Sequence, residues 1–123
     1  MNTEAIAHRL IELCRQGQGD QAQNELYADD AVSVEMEGMP AGMPVIVKGI
    51  EAIREKGRLF NADIEEMHGG SVSEPLVSGN WFSVVMTMDA TFKHRGRVNM
   101  QEICVYRVKD GKIVHEQFFY DMG

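Results

Sequence analysis

Apolar residues recur at helical spacing through Ile6, Ala7, Leu10, Ile11, Leu13 and Cys14, a period that predicts an amphipathic helix. Thr3 reads as its N-cap, and Gly17 and Gly19 stop it. Asp20 then reads as the cap of a second short helix, with Gln23 at capping-box spacing and Ala22, Leu26 and Tyr27 on the apolar side. Asp29 and Asp30 end that helix. Ala31 to Glu37 alternates like a strand whose apolar set is Val32, Val34 and Met36. A third helix is predicted from about Gly49, with Ile50, Ile53, Leu59 and Phe60 inward and Glu51 and Arg54 outward.

From about residue 64 the period changes to two, as in a β-meander. Trp81–Phe92 and Val98–Val108 are long alternating segments, and Asp110-Gly111 is a strong turn signal leading into Ile113–Tyr120. Strands well beyond the usual five or six residues, roughly, bend as they twist. The expected sheet is therefore strongly curved and wraps the helices. Helices first and an antiparallel sheet afterwards make the fold class α+β. With 123 residues and no linker or repeat, a single domain over 1–123 is expected.

Composition narrows the function. At 44% hydrophobic and 25% charged residues the chain has the make-up of a soluble globular protein. No apolar run approaches the roughly 18 residues of a membrane span, and MNTEAIAHRL has no signal-peptide pattern. A cytoplasmic protein is expected. A net charge of −7 argues against a nucleic-acid partner, since such binding relies on Lys and Arg at phosphates. The basic group Lys93, His94, Arg95 and Arg97 surrounds Gly96 and reads as a solvated turn. Gly69-Gly70-Ser71 reads as a turn or bulge. Cys14 and Cys104 lack a partner motif and are expected reduced and buried. His8, His68, His94 and His115 make no zinc spacing, and no nucleophile elbow, phosphate loop or dinucleotide motif is present. Neither a metal nor an organic cofactor is expected.

The remaining chemistry lies in carboxylates with apolar neighbours: Glu35, Glu102 and Glu116. Desolvation raises the pKa of such a group and makes it a proton shuttle near neutral pH. Alternation alone turns Glu35 to water, opposite the Val32, Val34 and Met36 set.

Three stretches, ELYADDAVSVEMEG, KGIEAIREK and VYRVKDGKIVHEQFFYD, resemble the nuclear-transport-factor-2-like superfamily. Within it the chain is most similar to SnoaL-like polyketide cyclases and ketosteroid isomerases. The resemblance implies a cone whose curved sheet wraps a helix and whose open end admits an apolar ligand. Matched from the shared YADDA, the isomerases' proton-abstracting aspartate falls on Glu35, and Tyr27 matches a pocket-supporting tyrosine. The two oxyanion donors fall on Leu10 and Cys104, so the familiar donors are absent.

The last hairpin decides what shares the lining. A three-residue turn with a glycine bulge sets Cys104 opposite Glu116, Glu102 opposite Phe118 and Met100 opposite Tyr120. A bare two-residue turn instead pairs Glu102 with Phe119 and Cys104 with Gln117. The isomerase-like lining favours the first, with Phe118 and Tyr120 on the pocket wall. The chain has nine methionines. Met86, Met88 and Met100 fall on the same inward face and read either as core filling or as an adaptable wall, and Met39 and Met43 in the GMPAGMP segment as a lid.

The expected function is proton transfer next to a carbonyl (isomerisation, cyclisation or dehydration) on a small apolar ring compound. Glu35 is the expected base, and Glu102, Glu116 or Tyr120 the acid or orienting group. Tyr27, Met86, Met88, Met100, Cys104, Phe118 and Tyr120 are the expected ligand contacts. The alternative is a non-catalytic ligand-binding or dimerisation module. In either case the outer face carrying Ile103, Val105 and Phe119 suggests a homodimer.

Overall fold

A computed structural model describes residues 1–37 and 44–121. Helix α1 spans Thr3–Arg15 and buries Ile6, Ala7, Leu10, Ile11 and Leu13. Its cap is Asn2 rather than Thr3: the Asn2 side chain accepts from the Ala5 amide at 2.8 Å. Helix α2 spans Gly19–Leu26 with Gln18 at its N-cap, two residues before Asp20, and Asp29 and Asp30 lie in the following strand rather than ending the helix. Tyr27 already opens strand β1, Tyr27–Val34. Strand β2, Ile46–Lys48, leads into α3, Ile50–Ala62, whose first residue follows Gly49 at φ 92°. Strands β3 (Ile64–Val72), β4 (Leu76–Ser78), β5 (Trp81–Phe92), β6 (Gly96–Lys109) and β7 (Lys112–Phe119) complete the chain.

Six strands run in the order β2-β1-β7-β6-β5-β3, and β4 pairs with β5. The fold is α+β, and the open sheet packs one face on the helices. One pair departs from the antiparallel expectation: β1 lies parallel to β7. The chain passes through α3 and the whole meander before returning beside β1, so the two strands are not joined by a hairpin. β5 and β6 pair along their full length, from Trp81 opposite Arg107 to Phe92 opposite Gly96. Beside them, the β3 backbone approaches so closely that a Cβ on Gly70 would stand 2.8 Å from the Thr87 carbonyl oxygen. That approach explains glycine in the Gly69-Gly70 pair.

Asp110 and Gly111 both have positive φ, and Lys109 pairs directly with Lys112. The turn is thus the two-residue kind. A register shift follows at once, because Val108 pairs with Ile113 but Arg107 with His115. The bulge expected in the turn lies in β7 at Val114 instead. Cys104 consequently faces Phe118, not Glu116 or Gln117, and Ile103 faces Phe119. Against the expected bulged turn the register is offset by two residues, so the same residues share the inner face.

The core gathers Ile6, Leu10, Ile11 and Leu13 of α1 with Phe82, Val84, Cys104, Tyr106 and Ile113 of the sheet. Phe82 and Tyr106 are opposite each other and stack with centroids 4.8 Å apart. Burying a side chain such as Phe82 contributes about 1.5–3 kcal/mol. On α3, Ile50 and Ile53 are buried as expected, but Leu59 is 57% exposed and Phe60 is also exposed. The inward helical stripe continues from Ile53 to Lys56 rather than to Leu59.

Candidate functional site on the inner sheet face

The inner face of β1 is Tyr27, Ala31 and Ser33, all buried, and not Val32, Val34 and Met36. Alternation carries that face on to Glu35, so Glu35 turns inward, against the reading that its more apolar neighbours favour. Ser33 pairs with Glu116 across the parallel ladder, and Glu116 pairs with Tyr106 on its other side. Three strands thereby deliver Ser33, Glu116 and Tyr106 to one row.

Opposite that row stands Lys56, three residues after buried Ile53 and so on the same helical face. Its ammonium donates to Ser33 Oγ at 2.6 Å and to Glu35 Oε1 at 2.9 Å. It also lies 5.1 Å from the centre of the Phe118 ring. Ser33 in turn donates to Glu116 Oε2 at 2.6 Å, while Tyr27 donates to Glu116 Oε1. Tyr120 donates to Glu35 Oε2 at 2.8 Å. One hydrogen-bonded chain therefore runs from Tyr27 through Glu116, Ser33, Lys56 and Glu35 to Tyr120. Glu116 is only 5% exposed, and two donors to a carboxylate offset the desolvation that such burial imposes.

The Lys56–Glu35 pair is more open, with side chains 24% and 16% exposed. Glu102 joins the same region from β6, opposite Met86. Its carboxyl accepts a 3.6 Å contact from the Cys104 thiol. Burial pushes the Glu102 pKa above the ordinary 4.5; the thiol contact and Lys56 act against this, and the charges of Glu35 and Glu116 add to it. Burial first, then the charge of Glu116, holds Tyr27 well above the usual phenol range, and burial also lifts Tyr106. Burial and the bond to Glu35 raise Tyr120. These phenols stay protonated and able to donate. The Cys104 thiol, buried beside Glu102, is likewise held high, which suits a packing group over a nucleophile.

The predicted site residues therefore divide. Glu35, Glu116, Tyr27 and Tyr120 meet in one network with Ser33 and Lys56, and Glu102 is electrostatically coupled to its charged members. Met86, Met88, Met100 and Phe118 are half-buried on the inner side, whereas Cys104 is sealed into the core. Met39 and Met43 lie outside the described residues. Sequence reasoning missed Lys56 and Ser33. The available signals were the three-residue step from Ile53 to Lys56 and the alternation Ala31, Ser33, Glu35. Among the described residues, no three His, Cys, Asp or Glu side chains are grouped to hold a metal ion. No helix among them is long and apolar enough to cross a membrane.

The SnoaL-like domain family model matches residues 1–120. A SnoaL-like protein of polyketide-cyclase type from Mesorhizobium loti is 38% identical, with a TM-score of 0.89 over 98% of this chain and 100% of that one. IdmH from Streptomyces antibioticus, also of polyketide-cyclase type, is 20% identical with a TM-score of 0.73, covering 98% and 93%. A protein of ketosteroid isomerase-like fold from Catenulispora acidiphila is 15% identical with a TM-score of 0.71, covering 95% and 85%. The last two establish likeness of fold alone. No curated protein sequence matches the chain.

Proposed function

We propose that this chain, which belongs to the SnoaL-like domain family, moves a proton next to the carbonyl of a small, mostly apolar ring compound. The observation that carries the reading is Glu102: a desolvated carboxyl with a raised pKa, half-buried beside a lysine–glutamate–tyrosine frame. A carboxylate whose proton affinity approaches the working pH is the better general base. Glu35, the base expected from the sequence, has both oxygens engaged by Lys56 and Tyr120, which ties it into the frame rather than aiming it at a substrate. The roles therefore shift. Glu102 takes the proton, Glu35 orients Lys56 and Tyr120, and Glu116 braces Tyr27 and Ser33. Met86, Met88, Met100 and Phe118 supply an adaptable apolar wall. Tyr27 supports that wall from beneath, and Cys104 acts by its contact with Glu102.

Support for a ring substrate comes from this apolar lining and from the name SnoaL-like polyketide cyclase that the Mesorhizobium loti relative carries. The test is deuterium incorporation next to the carbonyl of bicyclic ring ketones such as 2-tetralone, followed by proton NMR in heavy water. Wild type should accelerate exchange, and Glu102→Gln should lose that acceleration while keeping its fold. Equal rates in the two proteins would remove Glu102 from the chemistry. Ligand-induced thermal stabilisation without any exchange would favour the binding-module reading.

The same proposal includes a homodimer through the outer sheet face. Val85, Ile103 and Phe119 form one exposed apolar row across β5, β6 and β7, the kind of surface that proteins cover by association. Light scattering should give twice the 13.8 kDa chain mass. Ile103→Glu should return it to the monomer.

A further inference from the structure

We propose that Lys56 holds the oxygen on which negative charge develops when the substrate is deprotonated. The inference deepens the proton-transfer reading and rests on it for its catalytic half only. Charge on an enolate oxygen needs a preorganised donor in a partly dry site. Among the inner-face hydroxyls, Tyr27 and Ser33 are committed to Glu116 and Tyr120 to Glu35. Tyr106 lies sealed in the core beside Phe82. Lys56 differs from all of them. An ammonium has three N–H groups, and Ser33 and Glu35 accept two.

The lysine is also fixed rather than swinging. Two acceptors hold it, and the Phe118 ring lies 5.1 Å from its Nζ. Lys56 comes from α3 and Glu102 from β6, and the charge of Lys56 is felt at Glu102; in the proposed step the C–H bond of a flat ring lies at Glu102 and its oxygen at Lys56. The step balances without a further reagent. The C–H bond breaks, its proton bonds to the Glu102 carboxylate, and the electron pair moves through the new C=C bond to the carbonyl oxygen facing Lys56. Return of the proton to another carbon completes an isomerisation.

The probe is a series of para-substituted phenols, p-nitrophenol and p-cyanophenol among them, whose ionised forms mimic an enolate and absorb at a separate wavelength. Bound phenol should ionise at lower pH in wild type than free in solution. Lys56→Met should abolish that shift, and Lys56→Arg, which keeps the charge, should retain part of it. In the exchange assay Lys56→Met should lower kcat about 100- to 1,000-fold with little change in KM, the scale of losing one oxyanion donor. Cooperative denaturation of both variants shows that they fold. If wild type does not favour the phenolate, or Lys56→Met favours it equally, the proposal is overturned. If exchange is absent from wild type while the phenolate shift still depends on Lys56, proton transfer falls and the oxygen-binding role stands.

Discussion

The sealed end and the open middle of the inner β5–β6 face are built by the same strands and differ in nearly everything else. At the sealed end Phe82, Val84, Cys104 and Tyr106 are buried in the core with α1. In the middle, Met86, Met88, Met100 and Glu102 stay half-buried, and Glu102 feels the charges of Glu35, Glu116 and Lys56, before Ala90 and Phe92 are buried again. α1 lays an apolar stripe on the sealed end, whereas the α3 face that starts at Ile50 and Ile53 goes on to Lys56, which bonds Ser33 and Glu35. One sheet face can thus serve stability in one part and carry charged groups in another.

Truncation should break the sealed end hardest. Phe82→Ala is expected to cost about 3–5 kcal/mol in urea denaturation, whereas Met88→Ala in the open middle should cost only about 1 kcal/mol. Equal costs would erase the distinction between the two parts. Next comes the brace between them. Glu116→Gln turns an amide donor toward Tyr27 or Ser33, both of which already donate, and should cost about 1–3 kcal/mol. Loss of exchange activity should follow as Ser33 and Lys56 relax, which separates this variant from Met88→Ala.

Glu102→Gln should act in the opposite direction on stability. With its folded pKa above 4.5, Glu102 binds more protons folded than unfolded, so its contribution is favourable in acid and is lost as pH rises through the folded pKa. The variant should therefore be more stable than wild type near pH 7, with the advantage vanishing toward about pH 4, below the ordinary glutamate pKa. Wild type equally stable across that range would show that Glu102 is not desolvated. The smallest effect is expected at Leu59→Gln, on the exposed side of α3, at less than about 0.5 kcal/mol in either direction. A large loss there would mean that the inward stripe of α3 runs through Leu59 after all.

Leu59 also shows where the sequence misleads. The helices and the long strands are legible because their periods are strong: β5 spans Trp81–Phe92 as the alternation predicts. The site is legible only through its carboxylates. Along β1 the more apolar set, Val32 and Val34, faces away from the core, because Ser33 and Glu35 are needed inside. Lys56 reads as a solvent-facing charge within a run of charges, and only its distance from Ile53 places it inward. The bulge at Val114 carries no glycine or other local mark. Its position is set by β7 pairing with β6 and β1 at once, which is a property of the assembled sheet.

The pH dependence of ring-ketone exchange tests the central claim most directly. If desolvated Glu102 is the base, the rate should rise with pH along a single ionisation whose midpoint lies above 4.5, and Glu102→Gln should flatten the profile. A midpoint at or below the ordinary glutamate value, or a profile that survives Glu102→Gln, would contradict the account.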